Sequence, residues 1–308
     1  MANDYFSISA VPPFRLDLTV WTLRRRTDNA VDRWDGKTYR RVLCPAGVLV
    51  EVAVTQLGSV TTPKLRVTVQ GAHLTTAMKA TISKMLNRLL GLQYDLTPFY
   101  RLAADHPPLH ELARQFRGMK PPRFSGVFEG IINAIACQQL TLTVGIGFLN
   151  RLASACGGGI TSGGMTFHAF PQPQALAVVS PEKLRELGFS HNKSRAIIEL
   201  AQGIASGQID FERFEAMPDA QALRQLQILR GVGRWTAEYT LLRGLGRVHI
   251  FPGDDVGARN NLQRWLHITK SLDYQGVRQS LGEWHRFGGL VYFHLLLRSL
   301  AEAGHIEA

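Results

Sequence analysis

Between Leu229 and Asp255 the chain reads LRGVGRWTAEYTLLRGLGRVHIFPGDD, with Gly231 and Gly233 opening an apolar helix and the adjacent acids Asp254 and Asp255 closing the stretch. A Gly-Val-Gly sequence ends the helix that carries Leu223 and Leu226 at Arg230-Gly231 and lets a second one begin at Arg234, because glycine adopts backbone conformations that a helix interior excludes. Val232 can plug the gap between the two helices. The amides at the second helix start are left uncovered, and with the positive end of the helix dipole they suit a phosphate. Judged on the turn alone, an ordinary glycine-capped helical turn is the more common explanation. A carboxylate at a fixed distance downstream adds chemistry, since it can stabilise a developing positive charge or orient a water. Trp235 and Tyr239 stand four residues apart, on one helix face, and offer flat aromatic surface.

These groups need a framework. Through about residue 70 apolar residues alternate with period two, at Leu16, Leu18 and Val20, then Val48, Val50, Val52 and Val54, then Leu65, Val67 and Val69. The alternation predicts half-buried strands, with turn chemistry at Asp35-Gly36 and Gly71. Met78, Ile82, Met85 and Leu89 then recur at helical spacing up to Leu90-Gly91, completing a small α/β unit. A proline-containing connection from Thr97-Pro98 to Lys120-Pro121-Pro122 leads into a helical region from Ser125, where Phe128, Ile131 and Ile135 form one stripe. Cys156 to Pro173 is glycine-rich and reads as a loop. Two helix-turn-helix segments follow, and a short helix with Ala258, Leu262 and Trp265 on one face begins after the acid pair. Asp254 is expected to cap that helix, leaving Asp255 free. No fixed-period repeat runs through the chain.

The 308 residues suffice for two or three packed units, and 45% hydrophobic against 19% charged residues describes a globular protein. Neither a bilayer-spanning apolar run nor a secretory signal is visible, so the expected location is cytoplasmic. Lys+Arg 35 against Asp+Glu 24, a formal net charge of +11, favours a polyanionic partner such as nucleic acid. Cys44, Cys137 and Cys156 lie far apart and read as free thiols, without ligand spacing for zinc or an iron–sulfur cluster. The histidines form no HExxH.

LQILRGVGRWTAEY resembles the helix-hairpin-helix of the HhH-GPD DNA glycosylase superfamily, and in particular its AlkA-like, 3-methyladenine DNA glycosylase II type. That group carries an essential aspartate beyond the hairpin, and Asp255 lies 24 residues after Gly231. FEGIINAIACQQLT is similar to the helix that holds the group's DNA wedge, LRELGFSHNKSRAIIELA to the helix pair before the hairpin, and PPFRLDLTV with the later strands to its N-terminal domain. The resemblance implies a mainly α fold, with an N-terminal α+β domain (antiparallel, TBP-like sheet) over 1–95. A helical HhH-GPD region would cover 96–308, including the hairpin 219–245 and Asp255.

It also implies roles. Asp255 would be the catalytic carboxylate; Trp235, Tyr239, Phe287 and Trp21 would wall the base pocket, where Phe287 replaces a tryptophan and Arg286 a proline. Gly231, Gly233, Arg234, Thr236 and Lys193 would contact DNA, with Arg230 a further source of positive charge, and Gln139 would fill the gap left by the flipped base. Backbone carbonyls of Gln227, Leu229 and Val232 would hold a Na+ or K+ bridging hairpin and phosphate. Cationic alkylated purines gain cation–π attraction on the rings and leave as neutral bases, so one carboxylate suffices. Trp235 stands where bifunctional members place a Schiff-base lysine, which implies a monofunctional enzyme leaving an abasic site. The absence of cysteines after Cys156 argues against the iron–sulfur branch, so no cofactor is expected. The expected partner is double-stranded DNA with damaged bases, met by a monomer with no membrane attachment. A non-enzymatic hairpin DNA-binding protein is the alternative; a cysteine alkyltransferase lacks its Pro-Cys-His motif.

Overall fold

The computed structural model describes residues 4–307. Strands β1 (Asp4–Ser9), β2 (Arg33–Trp34), β3 (Thr38–Leu43), β4 (Val50–Gln56) and β5 (Lys64–Gln70) form an antiparallel sheet in the order β1-β5-β4-β3-β2. The inward positions Val50, Val52 and Val54 of β4, and Leu65, Val67 and Val69 of β5, cover α2 (Thr76–Leu90) and part of α1 (Leu16–Arg24). The predicted helix at α2 and the alternation in β4 and β5 are therefore found, except that Val48 lies before β4 and is exposed.

Leu16 to Val20 is a helix, not a strand. The reason is burial on two sides. Leu16, Val20 and Leu23 face the sheet core, whereas Leu18 and Trp21 face the core of the C-terminal helices. A helix with no solvent face loses its 3.6-residue polarity pattern, and what remains imitates alternation.

The rest is mostly helical: α3 (Thr97–Ala104), α4 (Pro107–Gln115), α5 (Val127–Cys137), α6 (Leu142–Cys156), α7 (Pro173–Ala177), α8 (Pro181–Glu186), α9 (His191–Ala205), α10 (Asp219–Gln227), α11 (Arg234–Arg243), α12 (Val256–Trp265), α13 (Tyr274–Leu281) and α14 (Gly288–Glu302). One core gathers α5, α6, α9 and α11; another gathers α3, α4, α12 and α14. The fold is thus mainly α with an N-terminal antiparallel sheet.

The segment expected to be a loop forms a hairpin, β6 (Gly159–Ser162) with β7 (Met165–His168), turning at Gly163 and Gly164, both at positive φ. A Gly-Gly turn suits a two-residue hairpin. Contacts far away in sequence then stabilise the short strands: the Arg33 guanidinium lies 3.6 Å from the Phe167 ring centroid, and Ser162 meets Gln70.

An ion cluster joins sheet to helices. Arg41 of β3, only 1% exposed, donates to both oxygens of Glu129 on α5 at 2.8 and 2.7 Å and to Asp32 at 2.8 Å. Tyr39 donates its hydroxyl to the same Asp32 oxygen at 2.7 Å. Charges buried this deeply persist when they are paired, and this pairing ties the sheet to α5.

Candidate active site

Helices α10 and α11 meet at the glycine turn. Gly231 has φ +75, and a Cβ there would sit 2.9 Å from the Ala196 methyl of α9. Both conformation and space demand glycine. Gly233 caps α11 in extended conformation, and a Cβ there would meet nothing within 4 Å. Its contribution is an open approach to the first amides of α11. Val232 is buried between the helices, in agreement with the sequence, while α10 stops at Gln227 rather than at Arg230.

The helix cap falls on the other acid of the pair from the one expected. Asp255 is itself the N-cap of α12, its Oδ1 accepting from the Ala258 amide at 2.9 Å. Asp254 instead holds Arg234, whose Nε and Nη2 donate at 2.5 and 3.0 Å. The change follows from the capping geometry: the residue immediately before the first helical turn offers its side chain to that turn. Capping uses one oxygen of Asp255. Its Oδ2 accepts from the Trp235 indole Nε1 at 3.2 Å and from the Tyr292 hydroxyl at 3.1 Å. Three donors therefore fix a carboxylate that remains partly exposed. Burial raises the Tyr292 hydroxyl well above the usual phenol range, and the neighbouring Asp255 charge raises it further, so Tyr292 stays protonated and donating. Sequence reasoning missed Tyr292; its signal was a hydroxyl-bearing aromatic inside the apolar run of α14.

Trp235 and Tyr239 lie on one face of α11, ring centroids 5.4 Å apart and tilted by 35°. Trp235 is half-buried and Tyr239 buried behind it. The Tyr239 hydroxyl accepts from Arg25 Nη1 at 2.8 Å, and Arg25 Nη2 donates to Asn133 of α5 at 2.7 Å. Arg25, also unforeseen, is a buried cation brought in by the C-terminus of α1.

Phe287 and Trp21 take other places. Phe287 presents an edge-to-face contact to Phe99 at 5.6 Å, and Trp21 stacks on His305 at 5.8 Å. Among the described residues neither ring pairs with Trp235 or Tyr239; both fill the core of α3, α12 and α14.

The expected DNA contacts are also redistributed. The Thr236 hydroxyl accepts from Gln138 Nε2 at 2.7 Å, and the residue is buried, 1% exposed, which keeps it from a phosphate. Lys193 points its ammonium at the carbonyls of Ala136 and Gln138, at 3.2 and 2.8 Å, closing the end of α5 rather than facing solvent; desolvation lowers its pKa. Arg230 pairs with Glu199 at 2.6 Å. Gln139 is exposed with φ +55, next to Leu140, a side chain 42% exposed. Of the carbonyls expected to hold a cation, that of Leu229 accepts from the Val232 amide at 3.1 Å, and those of Gln227 and Val232 have no backbone turn partner among the described residues. No helix is long and apolar enough to cross a membrane among the described residues.

The site thus combines a glycine hairpin, open at Gly233, with a carboxylate oriented beside an indole. The sequence profile of the HhH-GPD superfamily of base excision DNA repair proteins matches residues 132–286, and the chain belongs to that family. It is 28% identical over 214 residues to a DNA-3-methyladenine glycosylase of Bacillus subtilis (strain 168), covering 70% of this chain and 71% of that one. It is 27% identical over 280 residues to the putative DNA-3-methyladenine glycosylase YfjP of the same organism, covering 91% and 94%. The solved 3-methyladenine DNA glycosylase from Archaeoglobus fulgidus superposes with a TM-score of 0.82 at 26% identity, over 95% of this chain and 97% of that one.

Proposed function

We propose that the protein is a DNA glycosylase that extrudes alkylated bases of the 3-methyladenine and 7-methylguanine type from double-stranded DNA and cleaves their glycosidic bond, acting as a monomer and leaving an abasic site. The observation that carries this reading is the Asp255 carboxylate, held by Trp235, Tyr292 and the Ala258 amide beside a half-exposed indole. The relatives named as 3-methyladenine glycosylases support the substrate class.

The chemistry follows from the charges. Cleavage gives the sugar oxocarbenium character, which an oriented carboxylate stabilises while it positions the capturing water. A purine alkylated on its ring is already cationic; it is attracted to the Trp235 face and departs neutral, so no general acid is needed. The indole that stands beside Asp255 has no amine with which to form a Schiff base, which favours base release without strand cleavage. The open amides at Gly233 and the first turn of α11 would receive a phosphate. A monovalent cation on the carbonyls of Gln227, Leu229 and Val232 would add positive charge there.

Duplexes carrying single defined lesions, incubated with the protein and treated with hot alkali, test the reading. Alkali-dependent breaks at an alkylated purine are expected. Breaks without alkali would overturn the monofunctional assignment, and Asp255→Asn with full base release would overturn the catalytic one. Binding of lesion DNA with no release by the native chain would leave a non-enzymatic recognition protein.

A further inference from the structure

The left-handed residue Gln139 and the glycine turn lie in different helical hairpins, yet one side chain ties them together. Gln138 ends α5 and sends its Nε2 across to the Gly231 carbonyl at 2.7 Å and the Thr236 hydroxyl at 2.7 Å. A carbonyl can only accept, so the amide nitrogen must face the turn, and both of its hydrogens are engaged. From the other side, Lys193 donates to the Gln138 carbonyl at 2.8 Å and to Ala136 at 3.2 Å. Ala196, one turn further along α9, is the residue against which Gly231 is pressed. The end of α5, the start of α9 and the glycine turn thus form one joint. The next residues out from it are Gln139, at φ +55, and the exposed Leu140.

We infer that Gln138 is a positioning residue that holds the exposed 139–140 tip in fixed register with the phosphate-gripping turn, so that anchoring a strand places the tip against the base stack. This rests on the glycosylase reading for its substrate, but not for its geometry. Among the described residues the hydrogen bonds to Asp255 come from Trp235, Ala258 and Tyr292, none of them from Gln138 or Lys193. A tip held rigidly loses no entropy at insertion, whereas a loose tip does, and the difference appears only when a base has to be displaced. The left-handed backbone at Gln139 makes the restraint necessary, because a non-glycine residue there relaxes readily unless its neighbours are held.

The experiment compares Gln138→Ala with the native chain on a fully paired duplex containing 7-methylguanine and on the same lesion in an unpaired bulge. Losing both Gln138 hydrogen bonds should slow single-turnover release from the paired duplex about tenfold, the equivalent of about 1.4 kcal/mol. Release from the bulge should stay within about twofold, because there the opening cost is already met. Lys193→Met, which keeps the stem and removes the ammonium, should show the same split. Equal losses on both substrates, or no loss on either, overturn the proposal. An abasic-analogue duplex with 2-aminopurine beside the gap gives a readout that needs no catalysis: unstacking fluorescence should fall in both variants at equal binding. If the native chain releases no base, the glycosylase reading fails while this signal still decides the inference; unchanged fluorescence overturns it.

Discussion

The indole nitrogen of Trp235 and the carboxylate of Asp255 share a 3.2 Å hydrogen bond, so the candidate base-stacking surface and the candidate catalytic group are one rigid unit. Asp255 also caps α12. Its catalytic and structural duties can be separated, because asparagine remains a good cap and alanine does not. Asp255→Asn should lower base release at least about a hundredfold with DNA affinity and thermal stability nearly unchanged. Asp255→Ala should in addition cost about 1 kcal/mol in urea unfolding. Single-turnover release and unfolding on the same preparations check both.

Tyr292 donates to the same carboxylate oxygen from α14. Tyr292→Phe removes that donor and keeps the ring. The expected result is about tenfold lower kcat with KM unchanged, the size of one hydrogen bond to a charged group. A rise in KM with kcat intact would show that the hydroxyl orients substrate instead.

The two glycines of the turn should respond differently to alanine. Gly231→Ala introduces a left-handed alanine pressed on Ala196 and should cost about 1–3 kcal/mol. Gly233→Ala meets open space, so stability should hold while affinity for DNA falls as the methyl obstructs the approach. Denaturant unfolding and fluorescence anisotropy with a short duplex separate the two effects.

Arg41→Met would strand Glu129 and Asp32 inside the protein without their cation. Loss of one member of a buried ion cluster typically costs about 3–5 kcal/mol. A urea midpoint that barely moves would mean that the cluster contributes little net stability.

His294 is buried between Phe99 and Phe116, its Nδ1 hydrogen-bonded to the Leu290 carbonyl, and burial lowers its pKa to about 4. The folded value lies below the ordinary one of about 6.5, so between these values the unfolded chain binds the extra proton. Stability should therefore rise with pH from about 4 to about 6.5, by up to about 3 kcal/mol for this group. Urea titrations of the native chain and of His294→Leu across that window check it, the variant showing the shallower slope.

Much of the frame is legible in the sequence because its signals are local. The valines of β4 and β5, the stripe of α2 and the glycines of the turn each reveal their element within a few residues. The family resemblance extends that reading to Asp255 and its surroundings. What escapes depends on partners distant in sequence. Leu16–Val20 looks like a strand because two separate cores bury α1, and β6–β7 gains its shape by docking on Arg33 and Gln70. The family resemblance points Thr236 and Lys193 toward phosphate, but Thr236 is buried against Gln138 and the Lys193 ammonium is held by carbonyls of the 136–138 segment. Tyr292 and Arg25 reach the site from α14 and α1, separated from it by long stretches of chain, and no local pattern reports such convergence.

The cluster of Arg41 with Glu129 and Asp32 leaves the sheet and the helix that leads to the tip little freedom to swing apart. Hinge motion between these two elements is costly, and a duplex opened at the tip would carry more of the shape change. Sites where stacking is already weak bend and open at lower cost, and selectivity can begin with the mechanical compliance of the helix before any atom of the lesion is touched.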